Sequence, residues 1–308
     1  MPTVVSIDGA IVAPEQATIS VLDRGLLYGD GCFEVLRTWS GVPVDLAAHL
    51  DRLYATIRAM QLQAMERDAL AAAVERTIAA TVESAGAPAV CADRADAGAG
   101  GVNATGVREW RVRIVITRGA GGLGAETASL GPGRAIVIVE PLGAQPSEVS
   151  AAVVDWPLPR RSGAAHKTLA YLDHVIARDL ARAAGADEAI RLDADGNAVE
   201  GATSNLYAVI GGVVLTAPVG VGVLPGIVRG RVLAACGRER IAVREEAFGV
   251  AALRGADEVF VSSSLRGVVP VTRLDGGARV VGEIARRIAK CVAAEMHALG
   301  AAAGVGRV

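Results

Sequence analysis

Three times the chain reads as an apolar run, a tight polar turn and a second run. VVSIDGAIV does so around Asp8–Gly9, CFEVLRTWSGVPVDL around Ser40–Gly41, and the strands EAIRLD and NLYAVI are read on either side of the Asp195–Gly196 turn. Such dipeptides tolerate the positive φ angles of a two-residue hairpin, so each predicts antiparallel pairing. Between the hairpins the period changes. LAAHLDRLYATIRAM sets Leu46, Leu50, Leu53, Ile57 and Met60 on one helical face, and residues 66–82 form a second helix. Residues 85–107 are rich in Ala and Gly, have no period, and read as an exposed loop. WRVRIVITRG and RAIVIVEPL follow as strands. Residues 1–142 therefore read as a small α+β domain.

Gly143, Gln145, Pro146 and Ser147 mark residues 143–149, which read as a linker. Residues 150–308 read as a larger mixed α/β domain. It begins with a strand over 150–155 and a helix over 168–184. Several strands, a Gly/Pro loop, a helix over 227–237, a short helix near 249–254 and a last helix over 281–299 follow. The stripe Leu169, Leu172, Val175, Ile176, Leu180 is read as the side of the 168–184 helix that faces a core.

Composition excludes several functions. With 31 basic and 33 acidic residues the net charge is −2, which gives no pull toward nucleic acid or an anionic membrane. There is no run of 18 uncharged apolar residues, the length a membrane helix requires. The N-terminus reads as strand, turn, strand rather than as a signal peptide. Cys32, Cys91, Cys236 and Cys291 form no CxxC pair, and His49, His166, His174 and His297 form no HxxxH group. The expectation is a reduced, cytoplasmic protein without a metal site.

Chemistry has three candidate places. Lys167 is expected beside a helix start among Ala164, Ala165, Leu169 and Ala170. An exposed lysine is the ordinary reading. A desolvated amine would instead have a lowered pKa and attack an aldehyde. Glu200 sits where two strands join, just before Ser204 and Asn205; it is either a turn acid or a buried carboxylate that needs a cation. The segment TAPVGVGVLPGIVRGRVL runs from a strand through a Gly/Pro loop into a helix near Gly226–Ile227, leaving N–H groups that suit an anion. It also has a dinucleotide-loop reading, an NAD-binding oxidoreductase with Gly220, Gly222 and Gly226, and Glu245 about nineteen residues on. The glycine spacing does not fit, and the strand before the loop is read as part of a hairpin run rather than a βαβ unit. Ser264 and Arg52 are further candidates for phosphate contacts, against turn polarity and a snorkelling arginine.

One ligand with an aldehyde, an anion and a protonated ring nitrogen would use all of these. The order of motifs is similar to that of the class IV (fold-type IV) pyridoxal-phosphate enzymes: branched-chain aminotransferases, D-amino-acid aminotransferases and aminodeoxychorismate lyases. The matching stretches are DRGLLYGDGCFEVLRTWSG, HLDRL, VITRGAGGLG, HKTLAYLDHVIARDLARAAGADEAIRLDADGNAVEGATSNLY, LPGIVRGRVL and VSSSLRGVVPV. The resemblance implies a two-domain fold with a small N-terminal α+β domain and a larger pseudo-barrel domain. It implies pyridoxal 5′-phosphate as cofactor, amino acid and 2-oxo acid substrates, ping-pong transamination, and a homodimer. Lys167 matches the Schiff-base lysine and Glu200 the partner of the pyridine nitrogen. Tyr171, four after the lysine and expected on the same helix, matches a tyrosine beside the cofactor. Arg52, the backbone of Ile227 and Val228, and Ser264 match the phosphate cradle. Val228 stands where the family often has Thr or Ser, so one side-chain contact is missing. Ser204 and Asn205 match residues near the ring. Tyr28, Phe33, Arg37, Arg24 and Leu265 are the candidates for the substrate pocket.

The substrate is less constrained. The RxH carboxylate trap of the D-amino-acid enzymes would fall near Leu123 and Ala125 and is absent. TRGAGGLG is closer to the branched-chain pattern, although EGIR there is EVLR here, with Val35 in place of glycine. SSLRGVVPV departs from the branched-chain pattern. The order of expectation is a branched-chain L-amino acid, then a D-amino acid, then the lyase reaction.

Overall fold

The computed structural model describes residues 3–85, 108–124, 133–156 and 165–304. The expected 85–107 loop lies, except for Ala85, outside the described residues. The chain packs as two units. One comprises Met1–Gln145, His166–Ala170 and Met296–Val308, and the other Pro146–Ala165 and Tyr171–Glu295.

The first unit contains β1 (Val4–Ile7), β2 (Ala10–Val12), α1 (Arg24–Tyr28), β3 (Gly31–Trp39), β4 (Val42–Pro43), α2 (Leu46–Ala59), α3 (Arg67–Ser84), β5 (Trp110–Thr117) and β6 (Ala135–Pro141). Its strands form one antiparallel sheet in the order β2-β1-β6-β5-β3-β4. Asp8 and Gly9 have φ 52° and 85°, and Ser40 and Gly41 have φ 51° and 79°. Positive φ at both central residues matches the twist of the flanking strands, so these two pairs set the hairpin registers. Leu36, Val112, Ile114, Val137 and Val139 of the sheet pack with Leu50, Leu53 and Ile57 of α2 and Leu70 and Val74 of α3. Each such burial contributes about 1.5–3 kcal/mol. Alternation sends Phe33, Val35 and Arg37 to the other side of β3, opposite Val115, Arg113 and Arg111 of β5.

The second unit holds β7 (Val149–Val153), α4 (Leu172–Ala183), β8 (Glu188–Leu192), β9 (Asn197–Gly201), β10 (Asn205–Ile210), β11 (Val213–Thr216), α5 (Ile227–Arg238), β12 (Val243–Glu245), β13 (Phe248–Gly249), α6 (Val250–Gly255), β14 (Glu258–Ser263), β15 (Gly267–Leu274) and β16 (Gly277–Ala278). A last helix, α7, spans Glu283–Gly304. The strand order is β12-β11-β10-β14-β15-β7-β8-β9-β13. A further pairing, Glu200 with Asn205, joins β9 back to β10. Six strands, β10, β14, β15, β7, β8 and β9, thus make a barrel-like circuit. Ala151, Ile190, Ala198, Leu206, Ala208, Val259, Val261 and Val271 pack in one of its cores.

Two sequence expectations fail here. The 168–184 helix begins only at Leu172. Residues 167–169 are not helical because their backbone pairs with the start of β3: Phe33 N donates to Lys167 O at 2.9 Å and Leu169 N to Gly31 O at 2.9 Å. The apolar stripe does not face the core either. Leu172, Val175 and Leu180 are exposed, while α4 buries Ala177 and Ala181 beside Ala152, Val154 and Ala189. The methyl-sized face lets the helix approach the strands closely, which the bulkier stripe would not. A third reading also changes. β11 pairs in parallel with β12, so β11–α5–β12 is a βαβ crossover after all. Glu245, read as a ribose acid, is instead held by Arg229 Nη2 at 2.6 Å.

Candidate active site

In the first unit Lys167 rides on the segment just described. Its Nζ lies 4.6 Å from the centre of the Phe33 ring, and the Arg113 guanidinium carbon lies 4.3 Å from the same centre. Phe33 is buried, and both the amine and the guanidinium contact its ring. β3 sets this arrangement by placing Phe33 on the face that Lys167 reaches. Thr168, the next residue, bridges to Cys32.

On the opposite face of β3, Glu34 is buried. Arg52 grips it with two parallel hydrogen bonds, Nε to Oε1 and Nη2 to Oε2, each 2.7 Å. His49, one turn earlier on α2, donates from Nδ1 to Oε2 at 2.7 Å. Burial pushes the Glu34 carboxyl up, but the hydrogen bonds from Arg52 and His49 outweigh it and hold the group down at about 2. Arg52, expected at a phosphate, is thus oriented by a carboxylate of its own unit. A charged residue at an inward strand position demands a cation, and HLDR offers His49 and Arg52 at the i, i+3 spacing of one helix face. That signal was available in the sequence and was missed.

The other substrate candidates divide. Arg24 is buried; its Nε meets Asp30 at 3.0 Å and its Nη1 the Gly124 carbonyl at 2.7 Å. Its guanidinium covers the Tyr28 ring at 4.6 Å, and the Tyr28 hydroxyl donates to the Leu123 carbonyl. Arg118 also binds Asp30, at 2.7 Å. Burial raises the Asp30 pKa, and the two arginines bring it below the ordinary value. Arg37 lies over Trp39 at 4.7 Å. Arg24 and Tyr28 therefore form one cluster with the Leu123–Gly124 turn, while Phe33 belongs with Lys167. Arg113 was not foreseen.

In the second unit Glu200 is buried at the β9–β10 seam, opposite Asn205. Both hold the peptide of Leu224. Glu200 Oε2 accepts from Leu224 N at 3.2 Å, and Asn205 Nδ2 donates to Leu224 O at 2.9 Å. The next ladder neighbour of Glu200 is Arg191 on β8, which is fully buried. The backbones of a buried acid and a buried arginine are thus paired across the sheet. Arg191 Nη1 lies 3.3 Å from His174 Nε2. The same Nη1 lies 3.1 Å from His174 Nδ1, and that Nδ1 is 2.8 Å from the Ala202 carbonyl. Tyr171 stacks on His174 with centroids 4.1 Å apart and reaches the same carbonyl at 3.3 Å. Tyr171 is the residue before α4 rather than a member of it.

Leu224 leads through Pro225 and Gly226 into α5. No side chain caps this helix, and its first turn holds no acid. A Cβ on Gly226 would lie 2.0 Å from Asn205 Oδ1, so only glycine fits there. Val228 is buried and Ile227 half-buried. Ser204 and Thr203 donate to the buried Glu188, as does Arg266, which follows Ser264 and Leu265 in the turn between β14 and β15. A buried carboxylate joined by one loop to an uncapped helix start is a donor set that suits a ring bearing a protonated nitrogen and a phosphate. The residues therefore fit pyridoxal 5′-phosphate.

The number of lysines is a second signal that went unread. Among 31 basic residues only Lys167 and Lys290 are lysines. Chemistry that needs an amine side chain has two places to go. Lys290 lies on exposed α7 surface.

Comparison with known proteins follows the same line. Residues 31–274 match the family model described as amino-transferase class IV. The chain is 32% identical over 290 residues to a putative branched-chain-amino-acid aminotransferase of Methanocaldococcus jannaschii, covering 92% of each. It is 29% identical over 273 residues to a D-alanine aminotransferase of Bacillus licheniformis, covering 87% of each. Among solved structures, the branched-chain aminotransferase of Thermoproteus uzoniensis with norvaline is similar at a TM-score of 0.81 and 27% identity, over 96% of this chain and 95% of that one.

Proposed function

Because the chain belongs to the class IV aminotransferases, which are pyridoxal-phosphate enzymes, we propose that it moves an amino group from a branched-chain L-amino acid to a 2-oxo acid by a ping-pong route. The observation that carries this reading is the placement of Lys167, on the segment paired with β3 and against the Phe33 ring that Arg113 also contacts. The greater identity to the branched-chain relative than to the D-alanine one supports the substrate order. So does the absence of an RxH motif near Leu123 and Ala125.

Bound to such an enzyme, pyridoxal phosphate supplies an electrophilic carbon for the amino group and a cationic ring that accepts the electron pair left when the substrate Cα–H bond breaks. The protein residues do the rest. Lys167 would hold the cofactor and, once released, would take the proton from the substrate Cα and give it up again from Nζ, acting as base and then acid. Glu200 would keep the ring nitrogen protonated. The first N–H groups of α5, at Ile227 and Val228, bind phosphate together with Ser264 and Arg52. Ser204 and Asn205 hold the turn behind the ring. Tyr171 orients the ring from one side, while Phe33, Tyr28 and Leu265 shape the substrate pocket. Arg37 and Arg24 are the cations assigned to substrate carboxylates.

The assembly is a cytoplasmic homodimer in this reading. Exposed apolar side chains support it: Val21, Leu22 and Leu26 in one unit, and Leu172, Val175 and Leu180 in the other. Mixing the cofactor-loaded protein separately with L-leucine, D-alanine and aminodeoxychorismate tests the substrate. The spectrum is expected to change with L-leucine and with no D-amino acid. A change with D-alanine alone overturns the preference.

A further inference from the structure

Glu188 opens β8 with no exposed surface. Its Oε2 collects Thr203 Oγ1 at 2.8 Å, Ser204 Oγ at 3.1 Å and Arg266 Nη2 at 2.7 Å, and its Oε1 accepts from Thr203 N at 3.3 Å. Arg266 Nη2 also donates to Thr203 Oγ1 at 2.9 Å. Every hydrogen is placed consistently: the threonine hydroxyl gives its proton to the carboxylate and accepts one from the guanidinium.

These bonds join two turns that are distant in the chain. Thr203 and Ser204 lie in the turn between Glu200 and Asn205. Arg266 lies in the β14–β15 turn, closed by the Ser263–Gly267 pair and carrying Ser264 and Leu265. A buried carboxylate leaves water only with a cation beside it, and Arg266 is that cation at 2.7 Å. We propose that Arg266 is a positioning residue whose ion pair with Glu188 fixes the Ser264–Leu265 turn against the 201–204 turn, and so sets the hold on the cofactor phosphate and the substrate. The phosphate part rests on the proposed function; the fixing of the turn does not.

The test compares wild type with Arg266→Lys and with the double variant Glu188→Gln/Arg266→Leu. The double variant removes both charges together and leaves Thr203 and Ser204 an acceptor, which protects folding. In the apoprotein, amide exchange over residues 263–267 is expected to quicken about tenfold in the double variant, the change one charged hydrogen bond corresponds to. The unfolding midpoint stays near wild type. In the loaded enzyme the cofactor Kd and the substrate KM rise by a similar factor while kcat holds, and Arg266→Lys recovers part of the loss. Wild-type exchange and wild-type Kd in the double variant overturn the proposal. If wild type takes up no pyridoxal phosphate, the proposed function fails, and apoprotein exchange alone decides whether the pair fixes the turn.

Discussion

Glu200 and Asn205 face each other across the seam of the barrel-like circuit, and both hold the peptide of Leu224. The carboxylate assigned to the ring nitrogen and the loop that leads into α5 are therefore one mechanical piece. Gly226 locks against it, because a Cβ there would meet Asn205 Oδ1 at 2.0 Å. Gly226→Ala must displace Asn205 and release Leu224. It is expected to weaken cofactor binding by about tenfold or more, the change for one lost hydrogen bond to a well-placed group. Adding Asn205→Ala relieves the clash, so the double variant binds no worse than the single. A spectroscopic titration with pyridoxal phosphate measures both.

Removing the charge of Glu200 tests its role more sharply. Glu200→Gln keeps the shape and the bond from Leu224 but cannot hold the ring nitrogen cationic. A fall in kcat of about 10²–10⁴-fold is expected, in the range for losing a positioned acid–base group. Steady-state kinetics at saturating substrate read it. A variant with undiminished kcat contradicts the assignment.

Acid should unfold the first unit through Glu34. Its folded pKa of about 2 lies below the ordinary 4.5, so its stabilising effect is complete above about pH 4.5 and is lost as the pH falls toward 2. The effect is on the order of 3 kcal/mol. Urea midpoints at pH 7 and pH 3 measure it. Glu34→Gln starts lower at pH 7 and falls less between the two pH values than wild type.

The row Leu172, Val175 and Leu180 predicts an interface. Leu172→Glu/Val175→Glu is expected to shift a dimer toward monomer at micromolar concentration in sedimentation velocity. A double variant that stays fully dimeric removes this face from the interface.

The sequence was most legible where a local cause sufficed. Asp8–Gly9 and Ser40–Gly41 adopt the backbone that such pairs favour, and α2 buries Leu50, Leu53 and Ile57 as its period predicts. It was least legible where tertiary pairing decides. Residues 167–169 are not helical because the backbone of 31–33 binds them, and nothing in HKTLAY announces that. On α4 two apolar faces compete, and periodicity cannot tell a buried Ala177–Ala181 face from an exposed leucine row. At the site, the separate candidates Lys167, Glu200 and the α5 start were readable from residue type. The supports Glu188 and Arg266 were not, because they join turns far apart in sequence.

Lys167 decides the account, and the chain makes the measurement simple because its only other lysine is Lys290. The loaded protein is reduced with borohydride, digested, and the peptides weighed by mass spectrometry. The account predicts the mass of reduced cofactor on the peptide that contains Lys167 and none on that of Lys290. Attachment at Lys290, or to neither lysine in a protein that turns over amino acids, would contradict it.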